Sequence, residues 1–303
     1  MDFIKNMRIF TFFEEMYYEP KWYHWPVIVS LLPISFFCMI IAHFKFPRKY
    51  TDMGIPVISV GNIIVGGSGK TPITIAIANY LKEKKVAVIL RGYKRLSSGL
   101  VIVKDFNEIL VPVEISGDEA MEIATSTKAA VIVSEERKKA IEKAKKIGAE
   151  VVILDDGFDK PFEKLNIVID KKLKNPFVLP AGGYRYPRVA LKFADIILKE
   201  NIDFKRNVEK VNGDVLISAI SNPKRLLKYA DVKEYKFFPD HYCFKKKDIN
   251  EFKDKKIVTT KKDYVKLKQF GLNLKVIQMN LELNQNILKQ IDEYLLKFHK
   301  KGK

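Results

Sequence analysis

A glycine-rich stretch between a strand pattern and a helix pattern constrains the fold of this chain more than any other feature. The run "IPVISVG" (55–61) is rich in β-branched residues, and "PITIAIANYLKEKK" (72–85) repeats its apolar residues at helical spacing. Between them, "NIIVGGSGKT" places a cluster of glycines just before a lysine and a threonine. The order of strand, glycine-rich loop and helix is typical of a phosphate-binding loop in a parallel α/β sheet.

This loop departs from the strict Walker A pattern, because Ile64 stands where that pattern requires its first glycine. The clustered glycines still allow backbone N–H groups to turn towards phosphate oxygens. We expect Lys70 to reach the β- and γ-phosphates and Thr71 to offer its hydroxyl to Mg²⁺. A glycine-rich turn that binds nothing is the alternative, and the flanking strand and helix argue against it. The predicted nucleotide-binding residues are Gly66, Gly67, Ser68, Gly69, Lys70 and Thr71.

The stretch "VVILDDGF" (151–158) supplies a candidate metal site. It is an apolar strand pattern that ends in two carboxylates, Asp155 and Asp156. Ligands of doubly wound folds lie at the carboxyl ends of the strands, and adjacent carboxylates there suit Mg²⁺. A solvated turn is the alternative for the pair on its own. Together, the loop and the carboxylates predict Mg²⁺-dependent hydrolysis or transfer of a nucleotide phosphate.

Apolar strand patterns alternate with helical patterns along most of the chain, which predicts an α/β fold with a mostly parallel, doubly wound sheet. A second α/β unit begins near residue 211, where "GDVLISAIS", "KKIVTTKK" and "LKVIQMNLEL" each predict a strand. We expect an N-terminal membrane-anchor region (1–50), a P-loop-type nucleotide-binding domain (51–210) and a smaller C-terminal α/β domain (211–303).

An uncharged segment near the N-terminus predicts contact with a membrane. No residue from 22 to 44 carries a formal charge, and Trp25 to Ala42 would span about 27 Å as a helix, against roughly 30 Å for the bilayer core. A signal peptide does not fit, since acidic residues precede the run and no small-residue cleavage site follows it. A buried core helix is an alternative. We favour a membrane anchor, spanning or lying in the interface, with the basic residues Lys45, Arg48 and Lys49 on the cytoplasmic side.

The charge of the chain favours an acidic partner. The formal net charge is +18, which suits nucleic acid, an anionic bilayer or a phosphorylated substrate, although a lysine-rich proteome would have the same effect. No nucleic-acid-binding motif accompanies the charge, so we expect no nucleic-acid partner and favour an anionic membrane surface. The two cysteines, Cys38 and Cys243, and the four scattered histidines predict neither a disulfide framework nor a zinc site.

Taken together, the motifs of this chain resemble those of the tetraacyldisaccharide 4′-kinase family, the lipid A 4′-kinases. The resemblance runs in order over most of the chain, from Leu31 to Lys266. It is carried by "LLPIS", "SVGNIIVGGSGKTP", "RGYKR", "GDE", "DDGF", "LPAGGYR", "NPKR", "FPDH" and "KDYVK".

The resemblance implies ATP-dependent phosphorylation of the 4′-hydroxyl of a lipid A disaccharide 1-phosphate precursor, giving lipid IVA. It implies two α/β/α domains with the site between them, ATP and Mg²⁺ as cofactors, and a place on the cytoplasmic face of the bacterial inner membrane. Asp118 in "GDE" matches the family's general base, His241 matches a histidine that assists, and Lys70 matches the loop lysine. Arg91 and Arg95 of the "RGYKR" loop are candidates for binding the substrate's 1-phosphate, with a solvated loop as the alternative. We expect a monomer.

The chain also departs from the family pattern. Asp159 and Lys160 follow "DDGF" where many members have Gln-His, and Tyr186 and Lys261 stand where many members have glutamate. A membrane-associated ATPase switch of the deviant P-loop kind is the rival hypothesis. Such a switch has no need of "GDE" or "FPDH", so these motifs favour the kinase.

Overall fold

Two α/β lobes face each other across a cleft. The computed structural model describes residues 11–47, 49–220, 223–240 and 242–301, and the side chains of His43 and Lys301 lie outside the description. The helices are residues 11–18 (α1), Trp25–Phe44 (α2), Lys70–Tyr80 (α3), Val113–Ser116 (α4), Asp118–Ser126 (α5), Arg137–Lys146 (α6), Lys246–Ile249 (α7), Lys261–Leu267 (α8) and Gln285–Lys301 (α9). Short 3₁₀ helices cover Trp22–His24, Arg188–Phe193, Pro223–Lys228, Asn250–Phe252 and Lys268–Phe270.

The strands of the described residues fall into one large sheet, one small sheet and two strand pairs. They are Val57–Asn62 (β1), Val86–Leu90 (β2), Val101–Lys104 (β3), Ala130–Val133 (β4), Val151–Asp155 (β5), Leu165–Ile169 (β6), Ile196–Leu198 (β7), Phe204–Val208 (β8), Val211–Asn212 (β9), Val215–Ser218 (β10), Ala230–Asp231 (β11), Glu234–Phe237 (β12), Ile257–Thr259 (β13), Leu274–Val276 (β14) and Met279–Leu283 (β15).

The large sheet forms the first lobe and has the order β3-β4-β2-β5-β1-β6-β7. Its pairs are parallel except for the edge strand β3, which runs antiparallel to β4. The central strands are buried along their whole length because helices cover both faces, which explains their continuous apolar sequences. Helices α3 and α5 pack on one face and α6 on the other. The predicted mostly parallel α/β fold is confirmed.

The small sheet forms the second lobe and has the order β12-β10-β13-β14, with all of its pairs parallel. Helices α7 and α8 contribute Ile249 and Leu267 to the core on one face, while Leu226 and Ile277 pack on the other. The residues Pro223–Lys228 form a 3₁₀ helix after β10.

An antiparallel strand pair joins the lobes. Strand β8 leaves the first lobe, β15 returns from the second, and the two pair from Phe204–Leu283 to Val208–Met279. The run "LKVIQMNLEL" therefore forms two strands, β14 and β15, in different sheets, and its interpretation as one strand was wrong. After β15 the chain forms α9, whose Ile287, Ile291 and Leu295 pack into the core of the large sheet.

Helix α2 is attached to the first lobe along one side only. Ile28, Ser35 and Ala42, spaced by seven residues, are buried. The Ser35 hydroxyl donates to the carbonyl of Val178 (3.0 Å) and accepts from the amide of Ala181 (2.9 Å). Large apolar side chains are exposed on the rest of the helix, namely Trp25, Val29, Ile34, Phe36, Phe37, Met39, Ile40, Ile41 and Phe44. The segment from Trp22 to Ala42 is long and apolar enough to cross a membrane, and only 17% of the apolar 18-residue stretch within it is buried, unlike a core helix.

Candidate active site

The glycine-rich loop connects the carboxyl end of β1 to the first turn of α3. Gly66 has φ of +78° and Gly69 has φ of +87°, a left-handed conformation that other residues adopt at a cost. A Cβ atom at Gly69 would clash with the guanidinium of Arg206, and one at Gly66 would clash with the hydroxyl of Tyr18. The left-handed backbone therefore favours glycine at both positions, and a Cβ atom would in addition force the end of the Arg206 or Tyr18 side chain to shift. The loop as a whole lines the cleft between the lobes.

Asp155 lies beside this loop because β5 pairs in parallel with β1, with Asp155 opposite Val60. The hydroxyl of Thr71, in the first turn of α3, lies 3.3 Å from Oδ2 of Asp155. Within the described residues, the buried Oδ1 atom of Asp155 has no hydrogen-bond partner. Burial, reinforced by the nearby carboxylate of Glu119, raises the pKa of Asp155 to about 7. Nothing in the described surroundings satisfies this carboxylate fully, as expected of a site that receives a ligand.

Asp156 has a different environment. Its backbone is left-handed, with φ of +61°, and its carboxylate lies 3.7 Å from Nζ of Lys70 and 3.0 Å from a guanidinium nitrogen of Arg185. Burial alone would raise the pKa of Asp156, but Lys70 and Arg185 outweigh it and hold the pKa below its usual value. The two neighbouring aspartates thus differ. The pKa of Asp156 is lowered by its two cationic partners, whereas the pKa of Asp155 is raised to about 7 by burial.

Two backbone hydrogen bonds between distant parts of the chain bring Arg185 close to Asp156. Its amide donates to the carbonyl of Ile63 (2.8 Å), and the amide of Val65 donates to the carbonyl of Gly183 (2.9 Å). These bonds dock the segment before the glycine-rich loop against the stretch "LPAGGYR". That stretch is part of the family resemblance, but its sequence pattern alone predicts no role for Arg185.

The cleft between the lobes has a volume of about 1780 Å³ and is lined by residues of both. The first lobe contributes the loop from Gly66 to Thr71 and the strand ends, and the second contributes the region around Asp240 and Lys261. Basic side chains predominate near the loop: Lys171, Arg206 and Arg225 line the cleft with Lys70. The guanidinium of Arg206 donates to the carbonyl of Ser68 (3.2 Å). Sequence reasoning missed Lys171, Arg206 and Arg225, although Arg225 belongs to the quoted "NPKR" motif.

Asp118 begins helix α5, directly after Gly117, which has φ of +83°. Its Oδ2 atom lies 3.0 Å from Nζ of Lys266, on α8 of the second lobe. The next residue, Glu119, lines the cleft and interacts electrostatically with Asp155. The carboxylates of the "GDE" motif are therefore near both the strand end and the second lobe. His241, the other predicted acceptor-side residue, lies outside the described residues.

The two arginines predicted to bind the substrate phosphate have different surroundings. Arg91 follows β2 and lines the cleft. The Arg95 side chain is only 1% exposed and lies 2.7 Å from the carboxylate of Glu135. It also donates to the carbonyl of Gly99. Arg91 is thus accessible from the cleft, whereas the guanidinium of Arg95 holds its own loop together.

The four residues that depart from the family pattern all border the cleft. Tyr186 is buried against the rings of Phe46 and Phe158, at centroid distances of 5.1 and 6.2 Å. Lys261, at the start of α8, lines the cleft. Asp159 and Lys160 form an ion pair of 3.2 Å at the cleft wall. A buried aromatic residue and a cation therefore stand at the two positions where many members have glutamate.

Known proteins match this chain along nearly its whole length. The family model described as tetraacyldisaccharide-1-P 4′-kinase, LpxK, matches residues 27–214 and 203–296. A tetraacyldisaccharide 4′-kinase of Aliarcobacter butzleri is 45% identical, over 93% of this chain and 96% of the relative. One from Campylobacter jejuni is 40% identical, over 94% and 96%, and one from Helicobacter pylori is 38% identical, over 95% and 96%.

A solved structure also matches, that of the "apo" form of LpxK from Aquifex aeolicus in complex with ATP. Its TM-score is 0.76 at 30% identity, and the match covers 90% of this chain and 99% of that chain. Sequence and architecture agree, and the resemblance inferred from the motifs is confirmed. This chain belongs to the tetraacyldisaccharide-1-P 4′-kinase family.

Proposed function

We propose that this protein transfers the γ-phosphoryl group of ATP to the 4′-hydroxyl of the tetraacyldisaccharide 1-phosphate precursor of lipid A, giving lipid IVA. The family supports the reaction class. One observation carries the proposal for this chain: the glycine-rich loop and the Asp155 carboxylate lie side by side and open into a cleft lined by both lobes. Such a cleft has room for a nucleotide and a sugar headgroup together.

The loop is the proposed site for the phosphates of ATP. Its backbone and the N-terminus of α3 favour anions, and Lys70 supplies a positive charge at the same point. Lys70 is paired with Asp156 at 3.7 Å, a loose contact from which its ammonium is able to turn to a phosphate. The proposed ATP-binding residues are Gly66, Gly67, Ser68, Gly69, Lys70 and Thr71.

The residues around Asp155 fit a magnesium ion. The hydroxyl of Thr71, the unsatisfied Oδ1 atom of Asp155 and the neighbouring carboxylate of Asp156 are oxygen donors, which Mg²⁺ prefers. When bound, Mg²⁺ would neutralise charge on the phosphates. Asp156 would act mainly through its ion pairs with Lys70 and Arg185, which fix the shape of this end of the site.

Asp118 is the proposed acceptor of the proton from the sugar hydroxyl. The 4′-oxygen forms a bond to the γ-phosphorus as the bond to the β,γ-bridging oxygen breaks, ADP leaves, and the hydroxyl proton passes to the carboxylate. Since phosphoryl transfer depends chiefly on positioning and charge neutralisation, the base acts late in the reaction. The role predicted for His241 stays part of this proposal.

The cleft is basic enough to accept a substrate that carries its own phosphate. We assign the 1-phosphate to Arg91, which lines the cleft, because guanidinium groups bind phosphate in a bidentate manner. The assignment of Arg95 to the same phosphate remains a prediction, since its guanidinium is engaged with Glu135 and Gly99.

We propose that the enzyme acts at a membrane surface, since the acyl chains of the substrate are held in a bilayer. The exposed apolar side of α2 supports this, and the attachment of its opposite side to the first lobe favours a helix lying in the interface over one that spans. The cytoplasmic face of the inner membrane is the expected location, where ATP is available. A monomer is proposed, in which both lobes of one chain line the cleft.

The test is transfer of label from ATP to the lipid. Detergent-solubilised protein is incubated with γ-labelled ATP, Mg²⁺ and the disaccharide 1-phosphate, and label in the lipid is measured. The native protein should label the lipid, whereas Lys70→Ala and Asp118→Ala should reduce labelling at least about 100-fold while remaining folded. Lys236→Ala, which removes a lysine paired with Glu251 within the second lobe, is the matched control. ATP hydrolysis that never labels the lipid would refute the proposal.

A further inference from the structure

Lys266 is buried between two carboxylates that belong to different lobes. Its Nζ atom lies 3.0 Å from Oδ2 of Asp118 on α5 and 3.0 Å from Oδ1 of Asp263, one turn away on its own helix α8. The residue is only 4% exposed, and its ammonium also donates to the carbonyl of Tyr242 (3.2 Å). Although burial opposes the charge, the two aspartates raise the pKa of Lys266 above its usual value, so it remains an ammonium.

Asp263 fixes the position of this lysine from the second-lobe side. Asp263 is fully buried, and its Oδ2 atom accepts hydrogen bonds from the Ser218 hydroxyl, the Ala219 amide and the Thr260 hydroxyl, each at 2.9 Å. These donors come from the end of β10 and the start of α8. The carboxylate is therefore held rigidly against the end of the small sheet, with its other oxygen directed at Lys266.

Resting on the proposed role of Asp118, we propose that Lys266 is a positioning residue for the phosphoryl-transfer step. It holds the Asp118 carboxylate in one orientation. Because Lys266 belongs to the second lobe, the orientation of this carboxylate depends on the position of that lobe. Asp118 lies in the first turn of α5, and the lysine contacts its Oδ2 atom from α8 of the second lobe. A structural ion pair at the lobe interface would serve stability alone, whereas a positioning residue must change the rate with which bound substrates react.

The first experiment compares Lys266→Met with Lys236→Met in the labelling assay with lipid acceptor. Lys236 is a lysine of the same lobe that pairs with Glu251, away from Asp118. Lys266→Met should lower kcat about 100-fold with little change in the KM for ATP or lipid, since small displacements of a reacting group cost about that much. Lys236→Met should retain native kcat. A Lys266→Met protein with native kcat would overturn the inference, as would one whose only defect is a raised KM.

The second experiment tests whether Lys266 acts through Asp118. In an Asp118→Asn background, which should already be slow, adding Lys266→Met should lower kcat by less than about threefold, because the carboxylate it positions is gone. Independent, multiplicative losses would overturn the inference. Lys266→Arg, which keeps the charge, should recover part of the native rate, and its failure to exceed Lys266→Met would also count against the proposal.

Folding is checked separately, because removal of one partner of a buried ion pair is destabilising. The affinity for ATP reports on the first lobe and thermal melting on the whole chain. If Lys266→Met does not fold, Lys266→Arg and the double variant decide the question by the same criteria. The outcomes also separate this inference from the proposed function. If the native protein does not phosphorylate the lipid, the proposed function is refuted. If the native protein and Lys266→Met phosphorylate the lipid equally well, only the positioning role is refuted.

Discussion

The Thr71 hydroxyl and Oδ2 of Asp155 lie 3.3 Å apart, which joins the first turn after the glycine-rich loop to the end of the neighbouring strand. The residues are 84 positions apart in the chain, and the parallel pairing of β1 with β5 brings them together. Both groups offer oxygen atoms, and both lie at the carboxyl edge of the sheet, where ligands of doubly wound folds bind.

Thr71→Val should weaken Mg²⁺-dependent ATP binding by about 10- to 100-fold, the loss expected when a charged group loses a hydrogen-bonding partner. Thr71→Ser, which keeps the hydroxyl, should bind almost normally. Isothermal titration with ATP in the presence of Mg²⁺ and then of EDTA measures the effect. If Thr71→Val binds Mg-ATP as tightly as Thr71→Ser, the hydroxyl does not contribute to the metal site.

Asp155 should make the stability of the ligand-free protein fall as pH rises. Its pKa is about 7 in the folded chain against an ordinary value of 3.8, so between these limits the folded state holds a proton that the unfolded state has released. The stabilisation from this proton is present below about pH 4 and is lost as pH rises through about 7. Relative to Asp155→Asn, the native protein should lose up to about 1.4 kcal/mol of unfolding free energy per pH unit in this window.

Urea unfolding of the native protein and of Asp155→Asn, in EDTA at pH 5, 6, 7 and 8, measures that difference. Parallel stability curves for the two proteins would show that Asp155 is ionised throughout. Because a metal requires the ionised carboxylate, Mg²⁺ binding should release protons below about pH 7, which titrations in buffers of different ionisation enthalpy detect.

Gly69→Ala should abolish ATP binding and lower stability. The left-handed backbone at Gly69 would cost about 1–2 kcal/mol with any side chain, and a Cβ would also displace the guanidinium of Arg206. Gly148→Ala is the matched control, because Gly148 has nearly the same φ, +88°, with open space where the Cβ would lie. Melting temperatures and ATP titrations distinguish the variants. Equal melting temperatures and normal ATP binding by both would mean that the space around Gly69 is unimportant.

Arg91 and Arg95 should have different effects when truncated. Arg91→Ala should raise the KM for the lipid acceptor about tenfold without lowering the melting temperature, because Arg91 lines the cleft. Arg95→Ala should lower the melting temperature, since it leaves Glu135 and the Gly99 carbonyl without their partner. Steady-state kinetics and thermal melting are measured for both. A raised lipid KM with unchanged melting in Arg95→Ala would restore Arg95 as a substrate-binding residue.

Exposed apolar residues of α2 should control membrane binding without supporting the fold. Phe37, 65% exposed, is the best position for a test. Phe37→Glu should reduce co-sedimentation with anionic vesicles and leave the melting temperature unchanged, since burying a charge in the interface is unfavourable. Ile28→Glu, at a fully buried position of the same helix, should destabilise the protein instead. Unchanged vesicle binding by Phe37→Glu would argue against contact through this face.

The local parts of the site were predictable, because each consists of residues that are adjacent in the sequence. Glycines before a lysine and a threonine, and two carboxylates at the end of an apolar run, each need only a strand and a turn to be recognised. Lys266 and Arg185 could not be assigned in the same way, since each meets its aspartate across a long loop or a second lobe. Sequence periodicity carries no information about such distant pairs.

The same limit explains the errors in the fold. "LKVIQMNLEL" has the composition of one long strand, but β14 pairs within the small sheet and β15 pairs with β8. The alternation of apolar residues fits pairing with either sheet. Only the tertiary structure shows that the strand ends and a second strand begins within this run. The division of the chain into three regions stays a prediction, although the core contacts of α9 lie with the large sheet.

The return of α9 to the large sheet has a consequence for how the chain is made. Ile287, Ile291 and Leu295 complete a core that Val60, Ile73 and their neighbours begin more than two hundred positions earlier. During translation, that core keeps an uncovered apolar face until α9 has left the ribosome. Truncation at residue 210 would leave the same face bare, so the phosphate-binding half of this protein depends on a helix made more than two hundred residues after its core begins.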